Sequence, residues 1–125
     1  MSSLTDFVTP ELTPYFKEYG CKIWKAPEKI VCAGVWFRGT TKYPNQYSNI
    51  EYGLVVAGLG HHNCMTILSY LFPNGEYLNH TVSGFLTSHR RFINRQDAWT
   101  IAEKMGQILH AHGAPGTLYS EDLFD

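Results

Sequence analysis

The stretch Gly84–Arg95 reads GFLTSHRRFINR and leads directly into the clearest helical pattern of the chain. Apolar residues then recur at three- and four-residue spacing, at Ala98, Ile101, Ala102, Met105, Ile108 and Leu109. This spacing predicts an amphipathic helix from residue 96 to about residue 111. Asn94 is placed to cap its first turn, and Asp97 adds a negative charge near the positive end of the helix dipole. Gly106 inside this helix indicates close packing against another backbone.

The same stretch also concentrates groups that could bind an anion. Phe85, Arg90, Arg91 and Arg95 lie close to the predicted helix start in the sequence. Exposed amides at a helix N-terminus and guanidinium groups together suit an anionic ligand. The plainer interpretation is a hairpin of two short strands followed by a capped helix with solvated arginines. Spacing alone favours that interpretation, and both stay open here.

The composition predicts one globular domain over residues 1–125, with residues 1–28 as an N-terminal arm. Apolar residues make up 44% of the 125 residues and charged residues 17%, which is typical of a globular chain. In the arm, only a short set of residues has helix-like spacing: Leu12, Tyr15, Phe16 and Tyr19.

Charge and hydropathy restrict the partners and the compartment. A formal net charge of −1 argues against a protein that binds duplex nucleic acid, whereas a small anion needs only a local basic cluster. No apolar stretch is long enough to span a bilayer, and the first residues do not resemble a signal peptide. The three cysteines, Cys21, Cys32 and Cys64, favour a reducing cytosol over a disulfide framework. We therefore expect a cytoplasmic protein.

Two further segments have readable secondary structure. Ile30–Phe37, IVCAGVWF, predicts a buried strand, and residues 40–49 that follow predict a surface loop. Arg38 at the start of this loop could contact a ligand or be solvated at a strand end. Leu54–Gly58 is too short to assign, and residues 76–83 are expected to be extended or loop.

A second helix is predicted within residues 60–72, because Cys64, Ile67, Leu68 and Leu71 share one face, with Asn63 as its cap and Pro73 after its end. His61 and His62 therefore lie at a helix N-terminus, close to Cys64. Their spacing lacks the paired motifs of zinc modules, so no metal site is expected. Cys64 activated by His62 is one possible nucleophile, although a buried inert cysteine is commoner.

Several short segments resemble a family of small phage proteins, the Thoeris anti-defence 1 sponges. They are residues 84–88, 91–95, Ala98, 101–102, 106–107 and 118–123, together with Gly34, Gly39 and 61–64. The resemblance covers about two thirds of the chain and is loose before residue 29.

The resemblance implies a binding protein and not an enzyme. Such proteins capture a cyclic ADP-ribose signal made by a bacterial TIR-domain enzyme, so that the Thoeris effector stays off. The implied fold is α+β, a small antiparallel sheet with two or three helices, assembled as dimers and possibly hexamers with the pocket between protomers. Some members also hold cyclic oligonucleotides. The setting would be the host bacterial cytoplasm during infection, with no cofactor.

Within that resemblance, Phe85 would stack on the base of the signal and Asn94 would make a polar contact. The full set of candidate ligand-binding residues is Phe85, Asn94, Arg91, Arg90, Arg38, His61, His62 and Asp97. Two other classes stay open. One is a small enzyme that acts on a nucleotide-like substrate through His61, His62 or Cys64. The other is an inhibitor that binds a host protein through an aromatic surface.

Overall fold

A computed structural model describes residues 26–124. Within that range the fold is α+β, with a four-stranded antiparallel sheet and two α-helices, which confirms the predicted sheet and helices. The strands are β1 (Ile30–Phe37), β2 (Leu54–Gly58), β3 (Thr81–Thr87) and β4 (Phe92–Ile93). The helices are α1 (His61–Leu71) and α2 (Arg95–Lys104), and a 3-10 helix spans Ser120–Leu123. The helix-like spacing predicted in the N-terminal arm lies outside the described residues.

The predicted strand β1 is one of the two central strands of the sheet, whose order is β2-β1-β3-β4. It pairs antiparallel with β2, where Val35 faces Val56, and with β3, where Gly34 faces Gly84. The β1–β3 register shifts between Ile30 and Cys32. β2, which is too short to assign from sequence, forms because β1 offers it a complete ladder of partners.

Both helices pack on one face of the sheet, here called the helix face. Under α2 lies a buried cluster of Ile30, Ala33, Phe85, Ile93, Ala98, Ala102 and Leu118. Under α1 lies a second cluster of Val35, Val56, Cys64 and Leu68. Ala98 and Ala102 have no exposed surface, and their small size allows α2 to approach the strands closely.

The opposite face, here called the loop face, is covered by residues 38–53. Its buried cluster comprises Ile50, Val55, Leu86 and Phe92, with Tyr47 packed against them. Gly34 and Gly84 face each other beneath the Phe92 ring. A Cβ at Gly84 would collide with the Ile93 carbonyl and lie 2.8 Å from a Phe92 ring atom, so this close approach requires glycine.

The C-terminal end of α2 differs from the prediction. The helix ends at Lys104, and Gly106 (φ +66°) adopts the left-handed conformation that terminates many helices. The amide of Gln107 donates to the carbonyl of Ala102 at 2.8 Å, which closes the last turn. The prediction that Gly106 packs inside a longer helix was wrong, because no atom lies within 4 Å of the position of a Cβ there.

The two helix starts show one confirmed cap and one correction. Asn94 caps α2 as predicted, since its side-chain oxygen accepts a hydrogen bond from the Asp97 amide at 2.7 Å. In α1 the N-cap is Gly60, and Asn63 is the third helical residue instead of the cap. The Asn63 side chain reaches back to accept from the Gly60 amide at 2.9 Å.

Candidate functional site

The turn between β3 and β4 separates two consecutive arginines. The Arg90 amide donates to the Thr87 carbonyl and the Thr87 amide to the Arg91 carbonyl, each at 3.0 Å. Arg90 adopts a left-handed backbone with φ of +61°. The two guanidinium groups consequently have different surroundings.

Arg91 is held by Glu28, and we call Glu28, Thr87 and Arg91 the Arg91 clamp. Its Nε and Nη2 atoms donate to the two carboxylate oxygens of Glu28 at 2.8 and 2.6 Å. The Thr87 hydroxyl donates to the same carboxylate at 2.5 Å. The hydrogen bond from Arg91 lowers the pKa of Glu28 to about 2, and that bond in turn raises the pKa of Arg91. Arg91 thus joins the segment before β1 to the β3–β4 turn, with two of its five N–H donors and its charge paired with Glu28.

Arg90 is exposed, and no group among residues 26–124 accepts a hydrogen bond from its guanidinium. It lines a cavity of about 470 Å³ together with Asn45, Gln46, Tyr47 and Ser48. We call this the Arg90 cavity. Its volume lies within the range of about 300–1,000 Å³ that is usual for small-molecule sites.

The wall opposite Arg90 is fixed by hydrogen bonds to the main chain. The amide and hydroxyl of Ser48 both donate to the Arg90 carbonyl, at 2.8 and 3.0 Å. The Asn49 side chain accepts from the Phe92 amide at 2.9 Å and donates to the Phe92 carbonyl at 2.6 Å. The Gln46 oxygen accepts from the Val55 amide at 3.1 Å. These bonds attach the loop to β2 and β4, so the cavity has a defined shape.

Backbone strain also concentrates at this cavity. Among residues 26–124, three residues other than glycine have a left-handed backbone: Asn45 (φ +59°), Asn79 (φ +66°) and Arg90 (φ +61°). Two of the three line the Arg90 cavity. Such conformations persist where the surrounding structure enforces them, and they cluster at binding sites.

Phe85 and Asn94 occupy structural positions. Phe85 has no exposed surface and packs in the cluster beneath α2, with the His61 ring edge-on at a centroid distance of 5.0 Å. A base could therefore reach its ring only if the core opened. The Asn94 side chain caps α2, and Asp97 is exposed in the first helical turn.

The remaining predicted residues lie apart from one another. His61 Nε2 is 2.7 Å from the Gly84 carbonyl, and burial lowers the pKa of this imidazole. His62 is exposed and lines a separate cavity of about 250 Å³ beside the 3-10 helix. Arg38 follows the far end of β1, where its amide bonds the His80 carbonyl. Among the predicted site residues, His61 thus contacts Phe85, whereas Arg90, Arg38 and His62 lie on different parts of the surface.

Cys64 belongs to the core beneath α1. It has no exposed surface, and its Sγ lies 3.9 Å from the Ala33 carbonyl. Burial raises the pKa of its thiol to about 11, which disfavours the thiolate that a nucleophile requires. Over residues 26–124, no group of three histidine, cysteine or acidic residues is arranged to hold a metal ion.

Asp122 is a buried carboxylate that the sequence reasoning did not identify. Its Oδ1 accepts from the amide and from Nδ1 of His112, both at 2.8 Å, and its Oδ2 accepts from the Tyr119 amide at 2.9 Å. Burial raises the pKa of Asp122, and these hydrogen bonds outweigh that effect, so that its pKa is lowered overall. Asp122 holds the segment after α2 together.

The model of one protein family, described as the phage T4 y16D protein, matches residues 29–124, which is more than half of the chain. The chain belongs to this phage protein family. The matched residues include both helices, all four strands and the Arg90 cavity. No curated protein and no solved structure shows significant similarity to the chain. None of the helices in the described part of the chain is long and apolar enough to cross a membrane.

Proposed function

We propose that this phage protein binds a cyclic ADP-ribose-type immune signal and sequesters it without cleaving it, which would block a Thoeris-type bacterial defence. The observation that carries the proposal is the Arg90 cavity, where an uncommitted guanidinium faces a fixed polar wall. Membership of a phage protein family and the resemblance to Thoeris anti-defence 1 sponges supply the biological setting, the cytoplasm of an infected host.

The chemistry of the cavity suits a nucleotide-like anion. The Arg90 guanidinium offers planar donors that match phosphate oxygens, and the low charge of the whole chain does not prevent local binding. Tyr47 contributes an aromatic ring and a hydroxyl, and burial raises its pKa, so that it stays a neutral phenol at physiological pH. The amides of Asn45 and Gln46 add neutral polar groups. A pyrophosphate and a purine ring offer complements to this set.

The proposal includes self-association, because the resemblance implies dimers with the pocket between protomers. The outer side of α1 exposes Ile67, Tyr70 and Leu71, and Tyr70 is 82% exposed. This helix carries no charged Asp, Glu, Lys or Arg side chain, so two copies of it could approach without electrostatic repulsion. Sedimentation of the full chain at micromolar concentration checks this part, and a stable monomer would remove it.

A capture-and-release experiment tests the main proposal. The full chain is incubated with the cyclic ADP-ribose signal, unbound signal is removed, and the protein is then denatured by heat. We expect the signal to return intact. An enzyme would return a product, and an inhibitor that binds a host protein would not have retained the signal at all.

The paired variants Arg90→Ala and Arg38→Ala locate the site, because each removes one exposed arginine. A charge-assisted hydrogen bond contributes about 1.5–3 kcal/mol, so we expect Arg90→Ala to weaken capture about ten- to hundred-fold. Arg38→Ala should bind like the wild type. Equal capture by wild type and Arg90→Ala would reject the Arg90 cavity, and loss confined to Arg38→Ala would move the site to the far end of β1.

A further inference from the structure

Asn45 offers the Arg90 cavity an exposed side-chain amide. It is exposed, it follows Pro44, and its left-handed backbone (φ +59°) fixes the direction in which the side chain leaves the loop. Across residues 26–124, no group forms a hydrogen bond with its amide side chain. The amide therefore has one donor group and one acceptor available to a ligand.

Two other polar side chains of the wall are partly used. The Gln46 oxygen accepts from the Val55 amide, which holds this side chain against β2. The Ser48 hydroxyl donates to the Arg90 carbonyl. Arg90 itself has donors only. Asn45 is thus the amide of this cavity that can satisfy a donor and an acceptor side by side.

We infer that Asn45 selects the base by the edge that carries N7, so that the Arg90 cavity prefers purines with a 6-amino group to purines with a 6-oxo group. This inference rests on the proposed function, because it concerns which nucleotide the cavity accepts. A 6-aminopurine presents an N6 donor next to the N7 acceptor, and a side-chain amide pairs with both. A 6-oxopurine presents two acceptors on that edge. In either orientation the amide donates to one of these acceptors and places its oxygen against the other, so the mismatch on this edge persists.

The Arg90 guanidinium could bind the same edge of the purine in place of the Asn45 amide. A guanidinium pairs well with O6 and N7 of a 6-oxopurine, which would give the opposite preference. In a nucleotide complex, however, the phosphate offers Arg90 a charged partner, and a charge-assisted bond is stronger than a bond to a neutral ring. Arg90 therefore binds the phosphate, and the edge of the ring is available to the Asn45 amide.

Calorimetric titration of the full chain with adenosine 5′-monophosphate and inosine 5′-monophosphate tests the inference, since their rings differ in the substituent at C6. We expect the adenine nucleotide to bind about ten- to hundred-fold more tightly. In Asn45→Gly this ratio should fall to about one, with the affinity for the inosine nucleotide retained. Glycine is chosen because it adopts the left-handed backbone without strain. Asn79→Gly is the matched control, since Asn79 has the same backbone conformation (φ +66°) outside the cavity, and it should keep the wild-type ratio.

Three results would overturn the role of Asn45: a wild-type ratio near one, an unchanged ratio in Asn45→Gly, or tighter binding of the inosine nucleotide. The last result would assign the ring edge to Arg90. If the protein retains the cyclic ADP-ribose signal but shows no base preference, only base selection fails. If it prefers the adenine nucleotide but does not retain the signal, only the proposed function fails. Binding of neither nucleotide nor signal would overturn both.

Discussion

The two faces of the sheet are covered in different ways. On the helix face, α1 and α2 pack through apolar side chains, and Phe85, Ala98 and Ala102 have no exposed surface. On the loop face, residues 38–53 pack through Ile50 and Tyr47 and are also attached by hydrogen bonds to the main chain, such as those of Ser48 and Asn49. Main-chain attachment leaves neighbouring side chains uncommitted. The comparison therefore indicates that the helix face stabilises the fold and that the edge of the loop face is available for a ligand.

Phe85→Ala has the largest expected effect, and it tests whether the helix face stabilises the fold. Truncating a fully buried phenylalanine should lower the free energy of unfolding by about 3–5 kcal/mol, because the side chain is lost and a cavity remains. Urea denaturation measures the change, and Phe124→Ala is the control because Phe124 is 38% exposed. The stacking role that the resemblance implies for Phe85 would instead give a folded protein without capture. A loss below about 1 kcal/mol together with lost capture would return Phe85 to the role of stacking ring.

Asn49→Ala should have an intermediate effect on stability, and it tests whether the loop attachment shapes the cavity on the loop face. It leaves the amide and carbonyl of Phe92 without their side-chain partner, which should cost about 1–3 kcal/mol of folding free energy. Capture should weaken as well, because the freed loop carries Asn45 and Tyr47. The change is followed by urea denaturation and by calorimetric titration in the same buffer. Asn74→Ala, in the turn after α1, should change neither quantity. Unaltered capture in Asn49→Ala would show that the cavity does not depend on this attachment.

The smallest expected effect is the acid sensitivity of the Arg91 clamp. The pKa of Glu28 in the folded protein is about 2, below its ordinary value of 4.5. The ionised carboxylate therefore stabilises the fold above about pH 4.5, and this contribution is lost as the pH falls towards 2. Because Arg91 is 44% exposed and water screens the pair, the contribution should be about 1 kcal/mol or less.

Urea denaturation at pH 6 and pH 3 measures this contribution in the wild type and in Glu28→Gln. We expect the wild type to lose more stability than the variant on acidification. The comparison between the two proteins cancels the parallel acid effect of Asp122, whose pKa is also lowered. Equal losses would show that the clamp contributes nothing to stability in solution.

Local signals in the sequence were sufficient where a local interaction decides the structure. Asn94 and Asp97 predicted the start of α2 because a cap needs only the first turn of its own helix. The end of α2 depends on a distant contact. The apolar spacing continues to Leu109, but the Leu109 amide bonds the carbonyl of Asp122 and Gly106 turns the chain out of the helix. Only the folded tail supplies that partner.

The site was harder to predict because it also depends on contacts between residues that are distant along the chain. Arg90 and Arg91 are adjacent in sequence, and the difference between them arises from Glu28, which is distant along the chain. Asn45 and Tyr47 were placed correctly in a surface loop, but no local spacing indicates that this loop returns to the β3–β4 turn.

The Ser48 hydrogen bonds to the Arg90 carbonyl have a consequence for how the phage protein can evolve. They hold the turn through its main chain, so the side chain at position 90 can change while the shape of the turn is kept. The left-handed backbone admits glycine, asparagine and aspartate most readily and disfavours β-branched residues. Position 90 can therefore lose or reverse its charge by a single substitution. Under the proposed function, one substitution at this position would match a change in the charge of the captured signal without altering the core.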